Sequence, residues 1–202
     1  MIKDNPNELK KLKRTMDESY NHGIFLPIVQ EWNKLKSYSA ETRTDEEKDY
    51  EYEALNILSN LLKNQEKNIE LFFNNKEDKY KDAAIEYFGQ PDSSDNFLEV
   101  LLNELKKEKD YERRTNIVSK LKNAENLSTI RTSLKKALLT AHNDKFSYFS
   151  ELCSSVDNPG FINEIFLELN DRKNNVLLYW WKKILEIKIK DIIKLIKFFK
   201  KY

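Results

Sequence analysis

The sequence predicts an all-α chain, and three observations carry that prediction. Its 202 residues include only three Gly and four Pro, too few for the many tight turns that a sheet requires. Leu, Ile, Lys and Glu are abundant, and these residues suit helices joined by short links. Apolar residues recur every three or four positions, and no segment alternates seriously with period two. The expected architecture is an α-solenoid-like array of antiparallel helix pairs, with an irregular helical bundle as the alternative. One all-α domain over 1–202 is expected, with room for an N-terminal helical subunit at 1–40 and a helical array at 45–202.

The elements follow from the chain's punctuation. Asn5-Pro6 with Glu8 reads as the start of a helix. That helix is expected to end at His22-Gly23, where glycine can adopt the left-handed closing conformation. Ile24 to Ser39 forms a second helical stretch, delayed or kinked at Pro27. Ser39 to Thr44 is polar and reads as a loop. From Asp45 a longer helix is expected, with Leu55, Ile57, Leu58, Leu61, Leu62, Ile69, Phe72 and Phe73 on its apolar face. The next helix covers Glu77 to Phe88 and stops at Gly89, and Pro91 with Asp92-Ser93-Ser94-Asp95 restarts the chain.

Beyond this point the spacing becomes regular. Phe97, Leu98, Leu101, Leu102 and Leu105 define one helix, and Ile117, Val118 and Leu121 the next. Leu127, Ile130, Leu134, Leu138 and Ala141 define a third, and Phe146, Phe149, Leu152 and Val156 a fourth. Asn158-Pro159-Gly160 is the strongest turn signal in the chain. A short helix from Phe161 to Leu169 and a long apolar one from Val176 to Phe199 complete the sequence.

The stretch from Ala83 to Leu121 resembles a HEAT-type repeat. Ala83, Ala84 and Phe88-Gly89 match the end of one repeat, and Leu98, Leu101, Leu102 and Leu105 match the first helix of the next. Asp110, Arg113 or Arg114, Val118 and Leu121 match the second helix, where such repeats often carry an Asp in the turn and an Arg soon after. The frequent proline of the first helix is missing. The resemblance implies stacked helix pairs and an interaction scaffold. A minority of such proteins bind DNA on a basic concave face, and some of those excise alkylated bases.

Composition limits the chemistry. Hydrophobic residues make up 40% of the chain and balanced charges 34%, enough apolar surface for a core and unlike a disordered chain. Lys plus Arg is 35 against 34 acids, which argues against a surface that tracks nucleic acid throughout. The lone Cys153 cannot form an intrachain disulfide, and its apolar helix supplies no base to activate it. The two histidines, His22 and His142, have no metal-ligand spacing and read as helix-end residues. Gly23, Gly89 and Gly160 are isolated, so no phosphate-cradling loop can be built from them. Glu151, Glu164 and Glu168 could converge if their helices pack together, although solvated acidic faces are commoner. No cofactor, metal or catalytic residue is expected. With no apolar signal core at the N-terminus and no bilayer-length apolar run, a cytoplasmic location is expected.

Two segments are candidate binding surfaces. Asp45, Glu46, Glu47, Asp49, Tyr50, Glu51, Tyr52 and Glu53 interleave acids with tyrosines. The acids complement a helix dipole, and the patch also suits a basic protein partner. The second segment is the C-terminal helix, where Lys183, Lys190, Lys194, Lys197 and Lys201 fall on one polar stripe. From Lys173 onward nine lysines face only Glu186 and Asp191, hence a local charge of +7. With a total of +1, residues 1–172 carry about −6. The stripe suits a core helix with a solvated face, an anionic membrane or partner groove, or nucleic-acid phosphates. The leading expectation is a non-catalytic module that captures a partner protein stoichiometrically, as an adaptor, an inhibitor or an immunity-type protein. Nucleic-acid binding and peripheral membrane attachment through the C-terminal helix are the alternatives.

Overall fold

A computed structural model of the protein describes residues 22–38, 44–142, 144–156 and 158–171, together with Lys182 and Glu186. Among these residues the chain is all-helical, with nine α-helices, two 3₁₀ turns and no strand. They fall into two compact units that divide between Phe88 and Gly89.

The first unit opens with α1, His22–Ser37. The helix expected from Asn5-Pro6 lies outside the described residues, and Gly23, expected to close it, stands inside α1, where the backbone is helical from His22. Pro27 lies inside the helix and removes one bond of its first turns. Burial of Phe25, Leu26, Ile28, Val29 and Trp32 offsets that loss. Helix α2, Asp45–Lys63, starts at a capping box in which Glu47 N–H donates to Thr44 Oγ1 at 3.3 Å. Thr44 N–H in turn donates to Glu47 Oε2 at 3.0 Å.

The long helix expected through Phe73 is broken at Asn64-Gln65. Helix α3, Glu66–Glu70, and a 3₁₀ turn, Leu71–Asn74, follow instead. Ile69, Phe72 and Phe73 beyond the break are buried, as are Leu58, Leu61 and Leu62 before it. Ile57, expected in the core, is exposed. Helix α4, Asp78–Phe88, and α2 both pack on α1. Trp32 joins the elements: its ring meets Tyr87 edge-on at 4.8 Å, and its indole N–H donates to Ser59 Oγ at 2.8 Å.

The second unit holds α5 (Asp95–Lys107), α6 (Tyr111–Asn123), a 3₁₀ turn (Leu127–Ile130), α7 (Arg131–Leu139), α8 (Phe146–Ser155) and α9 (Pro159–Asp171). Consecutive helices pair, α5 with α6 and α7 with α8. Contacts also skip one helix: α5 meets α7, α6 meets α8 and α7 meets α9. The core is the shared apolar face of Leu98, Leu101, Leu102, Leu105, Ile117, Leu121, Leu134, Leu138, Phe149 and Leu152.

The turn expected at Asn158-Pro159-Gly160 is the beginning of α9. Asn158 Oδ1 accepts from Phe161 N–H at 3.0 Å, and Pro159 opens the helix, where its missing N–H costs nothing. The helix expected over Val176 to Phe199 lies outside the described residues, apart from Lys182 and Glu186. No described helix is long and apolar enough to cross a membrane.

Candidate functional site

The acidic and aromatic stretch expected at Asp45–Glu53 forms the first half of α2. Its local sequence explains the helix. The Thr44–Glu47 box satisfies the first free backbone donors, and Asp45, Glu46 and Glu47 crowd the positive end of the dipole. Burial does not explain it, since every residue from Thr44 to Tyr50 is exposed. Asp45, Glu46, Asp49, Tyr52 and Glu53 recur at helical spacing and line one solvent face. Tyr50 is 47% exposed and Tyr52 68% exposed. Part of the acidic set is already engaged: Glu47 serves the cap, and Asp45 Oδ1 lies 3.2 Å from Lys48 Nζ. Glu51 is half-buried.

A second surface, on α6 and α8, has no obvious signature in the sequence. Tyr111, Thr115, Ser119 and Asn123 recur every four residues and therefore fall on one line along α6. Small side chains in the middle of that line leave an open groove of about 280 Å³. Val118 and Lys122 also line it, and α8 supplies Tyr148 and Glu151. Tyr111 is 66% exposed. Lys122 Nζ meets Glu151 Oε1 at 2.7 Å across the groove. At the other side the Arg114 guanidinium stacks on the Tyr148 ring at 5.2 Å and reaches Asp144 Oδ2 at 3.3 Å. Asp144 also pairs with His142 Nδ1 at 2.8 Å, and this contact first of all holds its carboxyl below the usual range.

The expected convergence of three carboxylates is incomplete. Glu164 and Glu168 of α9 both reach the Lys135 ammonium, whereas Glu151 is committed to Lys122. Lys135 is raised above the ordinary lysine range, chiefly by its hydrogen bond to Glu164. The arrangement is an ionic clasp between α7 and α9, one ammonium held by two carboxylates. Cys153 is fully buried on α8, and burial pushes its thiol up to about 12. His142 is exposed, and His22 opens α1. Among the described residues no group of three or more His, Cys, Asp or Glu could hold a metal ion. Lys183, Lys190, Lys194, Lys197 and Lys201 lie outside the described residues.

Around Asp110 the residues of the inter-helix turn cap α6. Asp110 Oδ1 accepts from Arg113 N–H at 2.9 Å. The buried Glu108 carboxylate accepts from the N–H groups of Lys109 and Asp110 at 2.7 and 2.8 Å. No family model, curated protein or solved structure matches this chain.

Proposed function

We propose that this protein is a non-catalytic binding module that captures a partner protein, in the manner of an adaptor, an inhibitor or an immunity-type protein. One observation carries the reading: the first half of α2 projects acids and two tyrosines into solvent without contributing to the core. Exposed tyrosines add contact area with little entropy loss on binding, and they are enriched where interfaces concentrate their energy. The surrounding carboxylates favour a basic partner and speed its encounter.

Helix contacts in the second unit support a solenoid-like arrangement. The helices α5, α7 and α9 touch in sequence, as do α6 and α8, which is the pattern of two stacked layers. In that arrangement the α6–α8 groove is a second contact surface for protein. A cytoplasmic location fits the reading, and no cofactor is required for it.

The test is co-purification of the tagged protein from its own source at physiological salt after nuclease treatment, read by mass spectrometry. One stoichiometric protein partner supports capture. No protein partner, with nucleic acid in an untreated control or lipid in the sample, would move the function from α2 to the lysines of the chain.

A further inference from the structure

Ion pairs and hydrogen bonds across the second unit are complementary at nearly every level. Lys122 meets Glu151, Lys135 meets Glu164 and Glu168, and Arg114 meets Asp144. Ser133 donates to Glu99, while Asn126 and Thr129 both donate to Asp95. One level breaks the rule. Lys106 and Lys107 occupy the last turn of α5, and Lys136 the last turn of α7.

Each of these lysines complements the dipole of its own helix. Packing then concentrates them, because α5 and α7 are neighbours. Partial desolvation lowers Lys106 below the ordinary lysine range although its side chain stays largely exposed, Glu99 opposes the shift, and Lys136 and Lys107 add to it. The ammonium of Lys145, at the start of α8, folds back onto the Lys106 carbonyl and adds a fourth cation. None of Lys106, Lys107 and Lys136 forms an ion pair with another described residue. Among the described residues the Lys106 ammonium donates to the neutral Asn103 Oδ1, at 2.9 Å.

We infer that Lys106, Lys107, Lys136 and Lys145 form a binding surface for a chain of phosphates. Lysine is depleted at protein–protein interfaces, whereas compact ammonium groups suit phosphates as point charges. With no arginine fork in the cluster, the contacts read charge and not base identity. The phosphates can come from a nucleic-acid backbone or from inorganic polyphosphate, and the probes separate these sources.

Binding of fluorescein-labelled oligothymidylate and of linear polyphosphate to the full chain is compared between wild type and K106Q/K136Q. K190Q/K194Q/K197Q controls for the C-terminal lysines. The expected result is that at least one probe binds at low salt and that K106Q/K136Q weakens it roughly tenfold. For the oligonucleotide, the slope of log affinity against log salt is expected to fall by about 1.4, for two lost phosphate contacts. Binding of the oligonucleotide alone assigns the surface to nucleic acid, and binding of polyphosphate alone assigns it to the free polyanion. Wild-type affinity in K106Q/K136Q, or no binding of either probe to the wild type, overturns the proposal. Both positions are exposed, and thermal melting checks the fold of the variant. Lys136→Gln alone, expected to weaken binding about threefold, gives a second reading with a smaller perturbation.

Discussion

Lys122 Nζ lies 2.7 Å from Glu151 Oε1, and the two residues stand 29 positions apart; Lys135 and Glu164 are paired at the same separation. Arg114 and Asp144 stand 30 apart, and Ser133 and Glu99 stand 34 apart. The second unit is thus tied by polar contacts whose sequence offset equals the advance from one helix to the next but one. Complementary side chains at a nearly constant offset hold the helix pairs in register while the apolar face supplies the stability.

These surface ties are individually weak. In a double-mutant cycle with Lys122→Ala and Glu151→Ala, the coupling is expected to stay below about 1 kcal/mol and to shrink in salt, because both side chains are well exposed. Urea denaturation of the four proteins measures it. A coupling of several kcal/mol would mean that the groove-spanning pair is a structural lock.

The α5–α6 connection is expected to be more sensitive. Asp110→Ala removes one N-cap bond and should cost about 1 kcal/mol. Glu108→Ala should cost more, about 2–4 kcal/mol, because two backbone donors lose a buried carboxylate. Equilibrium denaturation ranks the two, and the reverse order would contradict the capping geometry.

Core truncations provide the scale. Leu102→Ala and Leu121→Ala each remove a fully buried side chain and are expected to cost about 2–5 kcal/mol. Denaturant midpoints of the two variants check this, and a loss no larger than that of an exposed Ile57→Ala would contradict the assigned core.

The fold class was legible because periodicity reports burial directly: Leu98, Leu101, Leu102 and Leu105 are all in the core, as their spacing requires. Boundaries were less legible. Gly23 reads as a helix end by composition, yet it stands in the first turn of α1, which runs on across Pro27. Asn158-Pro159-Gly160 reads equally as a turn or as a helix start, and local sequence does not distinguish them. The acidic helix was visible from its charge run. The α6–α8 groove was not, because Tyr111 and Tyr148 come to line one groove only through tertiary packing, and the Lys106–Lys136 cluster requires α5 and α7 to be neighbours.

Cys153 offers a pH-dependent test. Its thiol is raised from 9.0 to about 12 by burial, so the folded chain holds this proton where the unfolded chain releases it. Its contribution to stability is fully present below about pH 9 and is lost progressively as pH rises toward 12. Thiol-reactive dye should label the native protein far more slowly than the denatured one at neutral pH. Rapid native labelling would contradict the burial.

The most direct test of partner capture through α2 compares the wild type with a variant carrying Asp49→Lys, Tyr52→Ala and Glu53→Lys. All three positions are exposed, so the fold is expected to change by less than about 1 kcal/mol. Quantitative mass spectrometry of material co-purified with each protein is the measurement. The prediction is one stoichiometric protein partner with the wild type and at least a tenfold loss of it with the variant. Equal recovery of that partner by both proteins would contradict the assignment of α2 as the capture surface.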